Sequence, residues 1–329
     1  MKLDGSLFAW YDKSGNLIGL MGSFVDDVLW AGSDLFNSVI KQLKRVFKIG
    51  TENSQHFNYV GLTLTQEGDN VIIKQDDYTS TIEKIEVTTS DKSNRNRTLI
   101  AEEVRKLRST LGQLNWLACT SRPEISFAVS DLSSKVKSAT VNELIEVNKV
   151  VKFIKTTPSL LKIPKLDLES TRVASYTDAS FNSMIDGSSQ GAFIIFLYDK
   201  NGSCAPISWA SNRIKRVVRS SLAAETLAFM EGADSAHFVS KLLEEVLTKC
   251  VINVDSFTDS KSLFDVVGTS SLTTDKRLRV EISAIREMVD NNELTINWLK
   301  KELQVSDCLT KKGASTALLL ETLQTAKLP

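Results

Sequence analysis

Histidine is almost missing from this chain. Only His56 and His237 occur in 329 residues, which argues against a histidine-built metal centre and against a serine–histidine–aspartate triad. Cysteine is sparse as well. Cys119, Cys204, Cys250 and Cys308 are scattered without a C-x-x-C pair. That argues against a disulfide framework or a zinc ribbon and fits reduced thiols in an intracellular protein. Excess charge of either sign is absent, because 40 lysines and arginines balance 40 aspartates and glutamates. Bulk charge therefore announces no nucleic-acid partner, and such a partner would have to be met by local basic clusters. No apolar run approaches the ~18 residues of a membrane span, and no signal peptide opens the chain. A membrane partner is not expected.

What the chain does contain is acids at the ends of strands. Residues 173–180 read Val-Ala-Ser-Tyr-Thr-Asp-Ala-Ser and deliver Asp178 just before small residues. Residues 251–259 finish in nearly the same way, as Phe257-Thr258-Asp259 followed by Ser260. A strand with a carboxylate at its C-terminal end is a common way for a sheet to build a metal site.

Upstream, residues 7–11 and 17–25 are strand-like runs about a glycine- and asparagine-bearing turn, the signal of a hairpin. The second run meets Phe24-Val25-Asp26-Asp27 and continues as Val28-Leu29-Trp30-Ala31-Gly32. Adjacent acids in an apolar segment are costly unless they sit in a tight turn or bind a cation. Residues 33–47 have helical spacing with Ser33 as N-cap. Residues 55–65 and 70–75 suit short strands, and a helix begins over 78–85. The polar stretch 91–97 is expected to be a mobile loop. Helices follow at 102–119, 125–137 and 141–156, with Arg122-Pro123-Glu124 breaking the first from the second. Pro158 and Pro164 bracket the best boundary and divide the chain into 1–164 and 165–329. The second part reads β-β-β-α-β-α-α-β-α, ending in a helical region over 306–325. That order predicts an α/β fold, a mixed sheet with helices packed on it.

Two more acids fall within this second part. Glu225 shares a helical stripe with Leu222, Phe229 and Ala236, and a glutamate on an apolar stripe needs a partner or a cation. Asp307 lies at an expected helix start, where a carboxylate is favoured but is often only a cap. Four acids thus come from strand, helix, strand and helix. Oxygen ligands suit hard ions such as Mg²⁺, and two-metal sites hold their ions ~3.5–4 Å apart. Arg213, Lys215, Arg216 and Arg219 crowd the connection before the Glu225 helix and are the best candidates for phosphate contacts. Lys276, Arg277 and Arg279 form a second cluster that suits a solvated face equally well. Trp30, Trp116, Trp209 and Trp298 fall in apolar patterns and are expected in the core.

Tyr176-Thr177-Asp178, Ala224-Glu225, Phe257-Thr258-Asp259-Ser260 and Asp307-Cys308-Leu309-Thr310-Lys311 closely resemble the ribonuclease H domain of copia-type retrotransposon polyproteins. The resemblance implies an RNase H-like mixed five-stranded sheet with flanking helices. It also implies that Asp178, Glu225, Asp259 and Asp307 bind two Mg²⁺ ions, with Mn²⁺ a possible substitute, and hydrolyse the RNA strand of an RNA–DNA hybrid. The likeness extends upstream. Phe24-Val25-Asp26-Asp27 resembles the second catalytic motif of the same family's reverse transcriptase, with Phe24 in place of the usual tyrosine, which would make Asp26 and Asp27 metal ligands. Phe57-Asn58-Tyr59-Val60-Gly61-Leu62, Gln75 with Tyr78, and Leu111-Gly112-Gln113-Leu114-Asn115-Trp116-Leu117 followed by Arg122-Pro123-Glu124-Ile125 match its palm and thumb-like connection. The family's polymerase needs a further aspartate on an earlier strand and a fingers region, and neither is matched here. Residues 1–164 are therefore expected to be a partial reverse-transcriptase palm and connection (α+β) without polymerase activity. The alternative to an active nuclease is a catalytically silent nucleic-acid-binding remnant. No small-molecule cofactor is implied.

Overall fold

The computed structural model describes residues 1–248, 251–269 and 275–329; Cys250 lies outside them. Strands β1 (Leu7–Tyr11), β2 (Leu17–Phe24) and β3 (Asp27–Gly32) make an antiparallel three-stranded sheet. The carboxylate of Asp12 closes the first turn by accepting from the backbone of Ser14 and Asn16. Helix α1 (Phe36–Val46) lies on this sheet, its Phe36 ring filling the space where Gly19 and Gly32 lack a Cβ. Its N-cap is Leu35 rather than Ser33. The Ser33 hydroxyl is already engaged, donating to the carbonyl of Ile18 at 3.2 Å.

Strands β4 (His56–Tyr59), β5 (Leu62–Glu67) and β6 (Asn70–Lys74) begin a second antiparallel sheet. Five helices follow: α2 (Asp76–Thr81), α3 (Thr89–Ser93), α4 (Ala101–Thr120), α5 (Ser126–Lys135) and α6 (Val141–Thr156). They enclose a core that includes the fully buried Leu107, Leu114, Leu117 and Val147. The segment expected to be mobile is ordered. Thr88 and Asp91 form a reciprocal capping box for α3, and Arg97 pairs with Asp91 and Glu103, each at 2.7 Å. Polar composition shows the residues but not these partners. Strand β7 (Leu161–Ile163) then returns to complete the second sheet against β6.

The remaining elements are β8 (Arg172–Ser180), β9 (Gln190–Tyr198), β10 (Cys204–Arg213), α7 (Ser221–Leu247), β11 (Val254–Thr258), α8 (Lys261–Gly268), α9 (Lys276–Asp290), β12 (Thr295–Trp298) and α10 (Ala317–Thr325). The sheet order is β10-β9-β8-β11-β12. The first three strands are antiparallel, and β8, β11 and β12 run parallel. Central β8 is covered on both faces. Val173 joins Phe193, Phe229 and Ala233 under α7, while Ala174 and Tyr176 join Phe196, Leu319 and Leu323 on the other side, as the period-two alternation of a strand requires. The helical region expected over 306–325 is broken, because Asp307–Leu309 form a short 3-10 turn well before α10 begins. Among the described residues no helix is long and apolar enough to cross a membrane.

The two parts of the chain touch. Leu161 packs into the core beside Ala174 and Leu319. The Trp209 indole donates to the carbonyl of Ala118 at 2.6 Å, Gln190 donates to the hydroxyl of Ser130 at 3.1 Å, and Lys312 pairs with Glu146 at 3.1 Å. Leu161→Ala is therefore expected to lower the stability of the C-terminal part by about 2–5 kcal/mol, the usual cost of truncating a buried leucine, readable by urea unfolding.

At the start of the sheet, Asp255 accepts a bidentate pair from Arg172 at 2.6 and 2.7 Å and further bonds from Tyr198 and Thr295. Burial raises its carboxyl, but the Arg172, Tyr198 and Thr295 hydrogen bonds outweigh it and hold the group below the usual carboxylate range. A depressed folded pKa means that the stabilisation is present above the unfolded value of ~3.9 and is lost as pH falls through the folded one. Asp255→Asn is expected to lose about 1.5–3 kcal/mol at neutral pH, the worth of a hydrogen bond to a charged group. It should also flatten the acid limb of the stability curve below pH ~4, as measured by denaturant midpoints across pH.

Candidate metal centre

Three acids converge at the C-terminal end of the parallel strands. Asp178 is carried on β8, where the chain is fully enclosed and Asp178 itself is only 1% exposed. Asp259 follows β11, which is paired in register with β8 through Thr258 and Thr177, so the two carboxylates leave adjacent strands side by side. Glu225 comes from the second turn of α7. Ser220 caps that helix by accepting from the Ala223 amide at 3.2 Å, which fixes where its first turns begin. Gly232, two turns on, lets the helix lie against β8. A Cβ there would meet the Thr177 methyl and lie 3.0 Å from the Ser175 hydroxyl. One carboxylate oxygen from each of Asp178, Glu225 and Asp259 lies within 4.8 Å of the others.

The electrostatics follow from that crowding. Burial pushes Asp178 up to about 6, against the pull of Lys311 and the Thr310 hydroxyl and with a further push from Asp259. Burial, then the charges of Asp178 and Asp259, push Glu225 up to about 9. Asp259 is raised as well, by burial first and by Asp307, while Lys311 opposes the rise. All three ionised forms are thus disfavoured until positive charge arrives. Oxygen Oε2 of Glu225 is buried without a hydrogen-bond partner. An all-oxygen donor set with a buried acceptor unsatisfied fits a hard divalent cation.

The other candidate ligands sit differently. Asp307 is outside the group of three. It is joined to the centre through Lys311, whose ammonium lies 2.5 Å from Asp307 and 3.1 Å from Asp178. Asp26 and Asp27 form the exposed tip of the β2–β3 hairpin, with Val25 at φ 56° making the turn. Asp27 lies near Tyr59, and among the described residues no third acid, histidine or cysteine joins them. In the basic connection, Arg213 pairs with Asp186 at 2.8 Å and Arg216 with Glu281. Lys215 and Arg219 are exposed.

Two neighbours of the centre escaped the sequence reading. Thr310 donates its hydroxyl to Asp178. Trp298, expected in the core, is 44% exposed and donates its indole N–H to the carbonyl of Asp259 at 3.1 Å. Its apolar neighbours in sequence gave no hint that β12 ends there, at the edge of the sheet. Trp116 is also on the surface.

A five-stranded mixed sheet in this order, with its acids at the switch between antiparallel and parallel pairing, defines an RNase H-like fold. In sequence the chain is similar over nearly its whole length to the Pol polyproteins of copia-type retrotransposons. It is 27% identical over 336 residues to the retrovirus-related Pol polyprotein from transposon RE1 of Arabidopsis thaliana, covering 95% of this chain and 22% of that protein. It is 25% identical over 330 residues to the counterpart from transposon RE2 of the same plant, covering 94% and 22%. The chain thus spans about a fifth of the length of these curated relatives. Among solved structures, a foamy viral protease–reverse transcriptase in complex with double-stranded DNA matches 85% of this chain and 46% of its own, at 17% identity and a TM-score of 0.50. No protein-family profile matches.

Helix α7 can hold Glu225 at the centre only while it lies close to β8. Gly232→Val is expected to cost ~1–3 kcal/mol through overpacking against Thr177, as read by urea unfolding.

Proposed function

We propose that the C-terminal part, residues 165–329, is a metal-dependent endoribonuclease that hydrolyses the RNA strand of RNA–DNA hybrids. The observation that carries the reading is the convergence of Asp178, Glu225 and Asp259 with the unpartnered oxygen of Glu225. Likeness in sequence to retrotransposon Pol polyproteins supports it. Bound Mg²⁺, two ions in this reading and replaceable by Mn²⁺, supplies the charge that activates water and stabilises the leaving oxygen. Asp178, Glu225 and Asp259 hold that charge, with Asp307 beside them through Lys311. Asp178 is fixed by β8 and by the Thr310 hydroxyl, and Glu225 by the capped start of α7. The rigid mounting of the acids keeps the reacting groups aligned without reorganisation. An A-form hybrid is read through its shape and 2′-hydroxyls, so sequence-specific base contacts are not required.

Residues 1–164 are proposed to be a partial reverse-transcriptase palm and connection that does not polymerise DNA alone. Asp26 and Asp27 approach from one hairpin, and a two-metal phosphoryl transfer needs oxygens on both sides of the ion pair. Intracellular residence follows from the reading of a nuclease acting on reverse-transcription intermediates.

Asp178→Asn and Glu225→Gln are each expected to lower Mg²⁺-dependent cleavage of a labelled hybrid by about 100-fold or more, since several kcal/mol of charge stabilisation are lost. Circular dichroism should stay unchanged. Near-wild-type cleavage by either folded variant would refute the assignment. Hybrid binding without cleavage by the wild-type chain would select the silent binding remnant instead. Lys215→Ala and Arg219→Ala should each reduce the slope of log binding constant against log salt by about 1. Arg213 and Arg216, held by Asp186 and Glu281, should contribute less.

A further inference from the structure

Lys311 has no role in the reaction as set out above, yet it is the cation nearest the acids. It leaves the 3-10 turn at Asp307–Leu309 and reaches across to β8. Its ammonium lies 3.4 and 3.1 Å from the two oxygens of Asp178 and 2.5 Å from Oδ1 of Asp307. Its charge is also felt at Glu225 and Asp259. Of the other groups facing these acids, the Thr310 hydroxyl is neutral, and Lys301 acts on Asp259 alone among them. The ammonium therefore opposes the repulsion among the carboxylates, outweighing the push of Asp259 at Asp178 and of Asp307 at Asp259 but not the pushes of Asp178 and Asp259 at Glu225. Asp178 is nearly enclosed, whereas the Lys311 side chain is 33% exposed. The lysine enters from the solvent side and can withdraw without unpacking the core. A divalent cation taking up Asp178 would meet the ammonium at the same oxygens, and like charges so close repel strongly in a partly buried site.

Resting on the metal-site reading above, we propose that Lys311 is a tethered counter-ion. In the absence of metal its ammonium holds Asp178 and Asp307 in place, and it releases Asp178 when a divalent cation enters. It thereby weakens cation binding in return for a preformed, folded centre. It is a positioning residue in this proposal, since it acts through Asp178 and Asp307.

The test uses Ca²⁺ as probe, measured on the full chain at pH 8 by isothermal titration calorimetry and by thermal unfolding in EDTA and in CaCl₂. Lys311→Met is expected to melt at lower temperature in EDTA and to bind Ca²⁺ about tenfold more tightly than wild type, a change of ~1.4 kcal/mol. Its calcium-induced rise in melting temperature should be larger than that of wild type. Lys311→Arg, which keeps the charge, should stay close to wild type in both measurements. Equal or weaker Ca²⁺ binding by folded Lys311→Met would overturn the proposal. Lys311→Gln serves the same comparison if the methionine variant does not fold. Asp178→Asn separates the two readings. Ca²⁺ binding that survives this change would overturn the metal site itself. Binding that Asp178→Asn abolishes but Lys311→Met does not strengthen would overturn the counter-ion alone.

Discussion

Mutual repulsion among three carboxylates sets the terms for the structure around them. Asp178, Glu225 and Asp259 are brought within 4.8 Å in a largely dry place, where each charge is costly alone and more costly beside the others. Only rigid neighbours can hold such an arrangement. Strand β8 is enclosed by the sheet on both sides, β11 is hydrogen-bonded to it in register, and α7 is seated against it at Gly232. Lys311, which brings the countercharge, and Thr310, which brings a hydrogen bond, follow a short turn that has little intrinsic stability of its own.

That turn is gripped from two directions. The Ser211 hydroxyl of β10 donates to the carbonyl of Leu309 at 2.5 Å. On its other side lies the Pro123–Ile125 turn of the upstream helices, where Glu124 is buried near Cys308. Glu124 is in turn paired with Arg122, whose guanidinium also donates to the carbonyls of Ile154 and Thr157 at 3.2 and 3.1 Å. The helices α4 to α6 thus reach the acid centre through one buried ion pair. In physical terms the upstream helices help hold the turn that carries Lys311 and are not a neutral spacer.

The legibility of the sequence followed the range of the interactions. Strands β8 and β11 were visible because their patterning and terminal acids are local, and Glu225 was visible because a single acid interrupts an apolar stripe. The α/β order of the second part followed from the alternation of the same signals. Asp307 was placed at a helix start, but its turn is only three residues long and faces the centre through Lys311. A pairing across more than 130 residues, such as Lys311 with Asp178, leaves no local trace. The polar composition of 91–97 likewise hides its order, which depends on Arg97 pairing with Asp91 and Glu103. The exposure of Trp298 is equally hidden, because an apolar run does not reveal which strand lies at the edge of a sheet.

The return of β7 to β6 has a consequence for synthesis on the ribosome. Val71, Ile72 and Ile73 pair with β5 on one edge, but their other edge receives its partners only when residues 161–163 arrive, about 90 residues later. At translation speeds of ~5–20 residues per second the delay is roughly 5–20 s. Throughout that interval the nascent chain carries an unpaired edge of three consecutive β-branched residues, the kind of edge that recruits other chains. A ribosome pause within the helical segment would lengthen the exposure, whereas a pause after Ile163 has left the exit tunnel would not.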